Sequence, residues 1–307
     1  MLQQLEGNLL YSRSEGQQPH NKHRNRYKNI LPFDHNRVVL RDGDPDVPGS
    51  DYINANTITV TMATPAVAAC RYVATQGCLA TTLIDFWRMI YQEDSRVVVM
   101  TTKEVERGKN KCVRYWPDVG VTRDFGSLRV ESLREVPHSD HTQRLMRLYH
   151  TDHPDVVRHV WHYHYLSWPD HGVPATALGI LHFLDEVNAR LAETSGTGPV
   201  VVHCSAGIGR TGTLIVIDIL TKLIAHHGVE SDIDVSATIQ KVRAQRSGMT
   251  EAQYKFVYMA VQAYLDMKKS DLQNQEVAVP AQRQSSLRCK TDPNSLYENV
   301  AVLSKKK

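Results

Sequence analysis

No run of about 18 consecutive apolar residues occurs in the sequence, so no membrane-spanning helix is expected. The opening residues Met1 to Gly7 lack the basic and apolar regions of a secretory leader. Cysteine is sparse. Cys70, Cys78, Cys112, Cys204 and Cys289 are odd in number, widely spaced and without a Cys-x-x-Cys pair. Neither a disulfide framework nor a zinc finger is indicated, and a reducing, cytoplasmic setting is expected. Charge of one sign is not in excess: 36 Lys and Arg face 33 Asp and Glu, for a net charge of +3. That balance is too mild to argue for nucleic acid as a partner. No internal repeat is visible. What remains is ordinary globular composition, 41% hydrophobic and 22% charged over 307 residues, enough for one large domain or two small ones.

One stretch organises the rest. Val200-Val201-Val202 is a β-branched run, His203-Cys204-Ser205-Ala206-Gly207-Ile208-Gly209-Arg210-Thr211-Gly212 is rich in small residues, and Leu214 to Leu220 is apolar again. The pattern predicts strand, tight loop and helix, with the loop at the helix N-terminus. The first N–H groups of a helix have no partner within it and carry partial positive charge, so they form an anion site. Gly207 and Gly209 permit backbone conformations that turn successive N–H groups inward. Arg210 adds a planar fork that matches two phosphate oxygens. In that field Cys204 is expected as a thiolate, the nucleophilic form. A thiolate at the bottom of a phosphate-shaped cradle predicts attack on phosphorus and a cysteinyl-phosphate.

The segment His203 to Gly212 resembles the signature loop of the non-receptor protein tyrosine phosphatases, and further blocks agree. Asn25-Arg26-Tyr27-Lys28-Asn29-Ile30-Leu31-Pro32-Phe33-Asp34 resembles the phosphotyrosine-recognition loop, in which the Tyr27 ring would wall a deep cleft. Many members carry Asp at the position of Asn29, so the orientation of a substrate peptide is expected to differ. Ser167-Trp168-Pro169-Asp170-His171-Gly172-Val173-Pro174 resembles the family's mobile acid loop. Asp170 is the expected proton donor to the leaving oxygen. Asp51 to Asn56 resembles a structural block. By the same resemblance Glu106 would orient Arg210, Lys111 would approach the acid loop, His203 would tune Cys204 and Thr211 would ease departure of the thiolate. Tyr27, Asn29, Ser205, Ala206, Gly207, Ile208, Gly209 and Gln253 would contact substrate, and Trp168 would support the acid loop. The resemblance implies no metal and no cofactor.

The match is closest to the catalytic domain and tail of tyrosine phosphatases that carry Src-homology-2 domains, on Lys28 to His35, Thr101 to Gly108 and Gln245 to Met249. No such domain is read ahead of the catalytic part, so a fragment, shortened isoform or divergent relative is expected. The implied fold is α/β (α+β), a central twisted mixed sheet flanked by helices. Its expected catalytic domain is residues 1–270, and residues 271–307 are expected to be a disordered tail. In that tail Tyr297-Glu298-Asn299 resembles a phosphotyrosine motif that would dock an adaptor Src-homology-2 domain.

Elsewhere the pattern predicts a polar loop over residues 13–29, helices over 82–93 and 175–194, and antiparallel strands between 127 and 166. A helix from Ala237 to Gln245 would be capped by Ser236, and a last helix would carry Phe256, Val257 and Val261. His162 and His164 share a strand face beside His159, but no third metal ligand follows, so hydrogen-bonded or surface imidazoles are preferred. The resembled family usually has two glutamines four residues apart in its last loop. Here Met249 stands four before Gln253, and the loop looks two residues short. Hydrolysis of the cysteinyl-phosphate would then be slowed, and a phosphotyrosine-binding pseudophosphatase is the alternative reading. A dual-specificity phosphatase is disfavoured by Tyr27, and a sulfur transferase would not need Asp170.

Overall fold

The computed structural model describes residues 11–61, 70–194 and 198–288. Cys289 and the expected Tyr297 motif lie outside them. The other four cysteines are free and buried.

A nine-stranded mixed sheet carries the fold. Its strands are β1 (Arg37–Val39), β2 (Tyr52–Val60), β3 (Cys70–Thr75), β4 (Val97–Met100), β7 (Thr122–Phe125), β8 (Leu128–Pro137), β9 (His141–His150), β10 (His153–Tyr165) and β11 (Val200–His203), ordered β1-β2-β3-β11-β4-β10-β9-β8-β7. β5 (Val105–Glu106) and β6 (Lys109–Asn110) form a separate hairpin. The four central strands β3, β11, β4 and β10 run parallel, and the flanks are antiparallel. Parallel strands covered on both faces read as continuous apolar runs, and every residue of β4 and β11 is buried.

Side chains alternate across this centre. Val73, Val98, Met100 and Val201 join one cluster with Phe86, Trp87, Met89 and Ile90 of helix α1 (Leu83–Gln92) and with Trp116, Val130, Met146 and Leu148. On the other side Tyr72 of β3 donates its hydroxyl to Asp218 of α3 (Gly209–His227), 2.6 Å away. Asp218 also accepts from Asn188 of α2 (Leu178–Glu193) at 2.6 Å and from Lys222 at 2.7 Å. This buried carboxylate therefore ties a strand and two helices together.

β11 ends level with Thr75 of β3 and Met100 of β4, and α3 follows after a short loop. Cys204 thus emerges at the carboxyl ends of parallel strands, where open sheets bind ligands. The expected strand, loop and helix are observed. Other boundaries differ. Residues 13–29 include a helical turn at Ser14–Gln17 and a 3-10 helix at Pro19–Arg24. Helix α4 (Val235–Arg243) starts earlier than expected, and its cap is Asp234, whose carboxylate accepts from the Ala237 N–H at 2.8 Å, not Ser236. Both residue types cap well, and the sequence alone does not choose between neighbours.

By internal contacts the chain divides into units at 1–263 and 264–307. The last helix, α5, is assigned over Glu251–Arg288, so helical backbone continues past the boundary expected at 270.

Replacing Asp218 by Ala leaves three buried or half-buried donors unpaired. It is expected to cost about 2–3 kcal/mol, read as a lower urea midpoint with an unchanged denaturant slope.

Candidate active site

The loop from Cys204 to Arg210 is built as an anion cradle. Helix α3 begins at Gly209 with Ile208 at its cap and no side-chain cap bond, so its first N–H groups are left for a ligand. Gly207 has φ +71°, and a Cβ there would overlap the Thr75 carbonyl, so glycine is required. Its N–H donates to Cys204 Sγ at 3.2 Å. Cys204 is 5% exposed.

Arg210 is held by a carboxylate and a backbone carbonyl. Its two terminal nitrogens donate to the two carboxylate oxygens of Glu106 at 2.7 and 3.1 Å, and Nη1 also reaches the Thr101 carbonyl at 3.0 Å. Glu106 is itself held by Thr102 Oγ1 at 2.9 Å and the Lys103 N–H at 3.2 Å. Burial pushes its carboxyl up, but the Arg210 pair and these donors outweigh burial and hold it below its ordinary value of 4.5. The β5–β6 turn that carries Glu106 has positive φ at both central residues, Arg107 (51°) and Gly108 (69°), as a two-residue hairpin of right-handed twist requires.

The loop that carries Asp170 lies against this pair. Arg210 Nη2 donates to the Pro169 carbonyl at 3.1 Å, and Trp168 is buried against Phe256, its indole N–H reaching the Gly172 carbonyl at 3.3 Å. Asp170 stays partly exposed, and Arg107 Nε lies 3.9 Å from its Oδ2. Arg107 is thus a cation beside Asp170. For Lys111, expected there, the contact found is of its backbone N–H with the Glu104 carbonyl. The tight turn swings Arg107 outward toward the acid loop.

The Tyr27 segment meets the cradle directly: the Tyr27 hydroxyl is 2.9 Å from Ser205 Oγ. Asn29, with Ile30, Phe33, Ile208 and Gly248, lines a cavity of about 410 Å³ next to the cradle. Sequence reasoning missed Arg246. Its guanidinium is buried beneath the loop, donating to the Gly207 carbonyl at 2.6 Å, to Ala206 at 3.3 Å, and to Asn54 and Asn56 at 2.9 Å each. Burial lowers it to about 10, which leaves it charged at neutral pH. The usable signal was the Asn54-Ala55-Asn56 spacing, which places two amides on one strand face.

His203 bonds to the Cys204 carbonyl (3.1 Å) through Nδ1, not to the thiol, and its Nε2 meets the Tyr115 hydroxyl at 2.8 Å. Burial pulls it down to about 4, so it is neutral at pH 7. His162 joins the same tyrosine at 2.9 Å, and His164 reaches the Thr102 carbonyl at 2.7 Å. Both are buried in hydrogen bonds; His159 is exposed. Thr211 is buried, and its Oγ1 makes no hydrogen bond. Gln253 abuts Gly209, but its Oε1 accepts from the Thr250 N–H at 3.0 Å while Thr250 Oγ1 accepts from the Gln253 N–H at 3.3 Å. This is a capping box at the start of α5. Met249 is buried and packs toward Gly212.

With this geometry in place, comparison with known proteins is decisive. A family model described as protein-tyrosine phosphatase matches residues 21–263. The chain belongs to the protein-tyrosine phosphatase family. It is 54% identical over 200 residues to tyrosine-protein phosphatase corkscrew of Drosophila virilis, covering 63% of the chain and 26% of that protein. Its identity to the Drosophila melanogaster corkscrew is 52% over 204 residues, 63% of the chain and 24% of the relative. To tyrosine-protein phosphatase non-receptor type ptp-2 of Caenorhabditis elegans it is 40% identical over 301 residues, 83% and 45% respectively. The chain thus spans between a quarter and a half of these relatives' length. Among the described residues, no helix is long and apolar enough to cross a membrane.

Glu106→Ala is expected to cost about 1–3 kcal/mol at neutral pH, because it leaves the half-buried Arg210 guanidinium with only the Thr101 and Pro169 carbonyls as partners. The folded Glu106 carboxyl lies below its unfolded value, so its contribution is complete above the ordinary glutamate range and is lost as pH falls through the lower folded value. Melting curves from pH 7 downward should show the gap between wild type and variant closing below pH 4.5.

Proposed function

We propose that the chain hydrolyses phosphotyrosine in proteins through a cysteinyl-phosphate. The observation that carries this reading is the cradle itself: Cys204 Sγ held by the Gly207 N–H, beside an Arg210 already locked on Glu106. The phosphate dianion would bind the loop N–H groups of Ser205 to Gly209 and the Arg210 fork. Cys204 attacks phosphorus, the P–O bond to the tyrosine breaks, and Asp170 gives its proton to the leaving oxygen. Asp170 then takes a proton from water as it attacks, and Thr211, with an unengaged hydroxyl, hydrogen-bonds the departing thiolate.

His203 acts as a positioning residue through the Cys204 backbone. Tyr27, tied to Ser205, sets the depth of the cleft and favours tyrosine over serine esters. Asn29 faces the flanking cavity, where it supplies one neutral acceptor to substrate backbone. Gln253 abuts the cradle at Gly209 and orients the attacking water in place of the missing first glutamine. Signalling through phosphoproteins in the cytoplasm, and adaptor docking at phosphorylated Tyr297, complete the reading. The pseudophosphatase alternative gains no support from relatives that are named phosphatases.

Stopped-flow phenol release from an aryl phosphate tests this. Wild type is expected to turn over, with a burst equal to enzyme concentration if the shortened loop slows hydrolysis. Asp170→Asn should lower kcat about 10²–10⁴-fold, and Cys204→Ser should abolish release. Full activity in Cys204→Ser, or equal rates on phosphoserine and phosphotyrosine peptides, would overturn the proposal.

A further inference from the structure

Away from the cradle, the three-residue turn between β8 and β9 carries His138, Ser139 and Asp140, with His141 opening β9. Ligating atoms of His138, His141 and Glu186 of α2 all lie within 4.8 Å of one another. His141 is only 1% exposed, and its Nε2 is buried without a hydrogen bond. Such a nitrogen costs free energy unless something else occupies it. The Glu186 carboxylate lies 3.3 Å from it, out of line for a hydrogen bond. On the other side of the ring, Nδ1 meets Asp140 Oδ1 at 2.8 Å. That contact favours the tautomer with the proton on Nδ1 and the lone pair on Nε2. A carboxylate behind a ligating imidazole is the usual support of a metal-bound histidine.

We propose that His138, His141 and Glu186 bind one zinc-class divalent ion, which staples the β8–β9 turn to α2 at the base of the acid loop. Two imidazoles and a carboxylate suit Zn²⁺, whereas Mg²⁺ and Ca²⁺ want oxygen donors. Bonds of about 2.0–2.1 Å in a tetrahedron separate ligands by about 3.3 Å, the spacing His141 and Glu186 already have. The remaining contraction falls on His138 and Glu186, which are exposed and free to change rotamer. The His138 ring lies parallel to that of His141 at 4.4 Å, so a modest rotation turns a nitrogen inward. The fourth position is left to water.

The link to the acid loop is a backbone one. The Asp140 carbonyl accepts from the Leu166 N–H at 2.8 Å and from the Ser167 N–H at 3.2 Å, one residue before Trp168. An ion that fixes this turn fixes the segment from which the acid loop swings. The site stands without the catalytic reading; only its consequence for the loop rests on Asp170 as the acid.

The test uses the untagged full chain carrying Cys204→Ser, which removes a competing thiolate. Zn²⁺ titrated by calorimetry is expected to bind one per chain, with Mg²⁺ unable to compete. His138→Ala and Glu186→Gln, both at exposed positions, should each weaken binding at least tenfold while melting like the parent without metal. Asp140→Asn should weaken it about 10–100-fold by freeing the imidazole. Hydrogen exchange at the Leu166 and Ser167 amides should slow with Zn²⁺ in the parent and not in His138→Ala. Absent saturable binding, or binding equal in His138→Ala and Glu186→Gln, overturns the site. Site-dependent binding with unchanged exchange at those amides overturns its link to the acid loop.

Discussion

A guanidinium locked on a buried carboxylate is the interaction around which the active end of this fold is assembled. Arg210 enters from the first turn of α3, Glu106 from the β5–β6 hairpin, and the Thr101 carbonyl from the end of β4. Each partner comes from a different element, so the pair closes only when the sheet, the helix and the hairpin are all in register. The Pro169 carbonyl then rests on the same guanidinium and brings the loop that carries Asp170 to the cradle. Arg246 does for the underside what Glu106 does for the side: it satisfies the Gly207 and Ala206 carbonyls and keeps the loop's N–H groups facing inward. Two fixed cations and a ring of N–H groups would make the site complementary to a phosphoryl group before one arrives. Electrostatic preorganisation of this kind costs no reorganisation during reaction.

Much of this was legible in the sequence because its parts are local. The apolar run into Cys204, the glycines and Arg210 specify strand, cradle and helix within fourteen residues. The Glu106 pairing with Arg210 was readable by resemblance, and the Tyr27 hydroxyl meets the loop at Ser205. What escaped depends on contacts distant in sequence. Arg246 lies in a polar stretch that reads as surface, yet two asparagines nearly two hundred residues away make its burial affordable. Arg107, beside Asp170, was not read, because its position is set by a turn with two positive φ angles.

The imidazoles show the same limit. Spacing on a strand drew attention to His162 and His164, but the fold buries them in a hydrogen-bonded network with Tyr115 and Thr102. His138 and His141, on either side of Ser139 and Asp140 where β8 turns into β9, gave no periodic signal, and their third partner sits on a helix that only tertiary packing brings near. Gln253 is a further case. Its sequence position suggests a role toward water, while its carbonyl oxygen is held by the cap of its own helix. Position alone does not reveal which of its two amide atoms is free.

The central claim is that phosphate passes through Cys204, and trapping it there tests the claim most directly. A phosphotyrosine peptide labelled in its phosphate would be mixed with the chain, quenched within the first turnover and digested for mass spectrometry. The account predicts label on the peptide containing Cys204, absent from Cys204→Ser and increased in amount by Gln253→Ala as hydrolysis slows. Turnover with no label on Cys204 at any quench time would mean direct transfer to water and would contradict it.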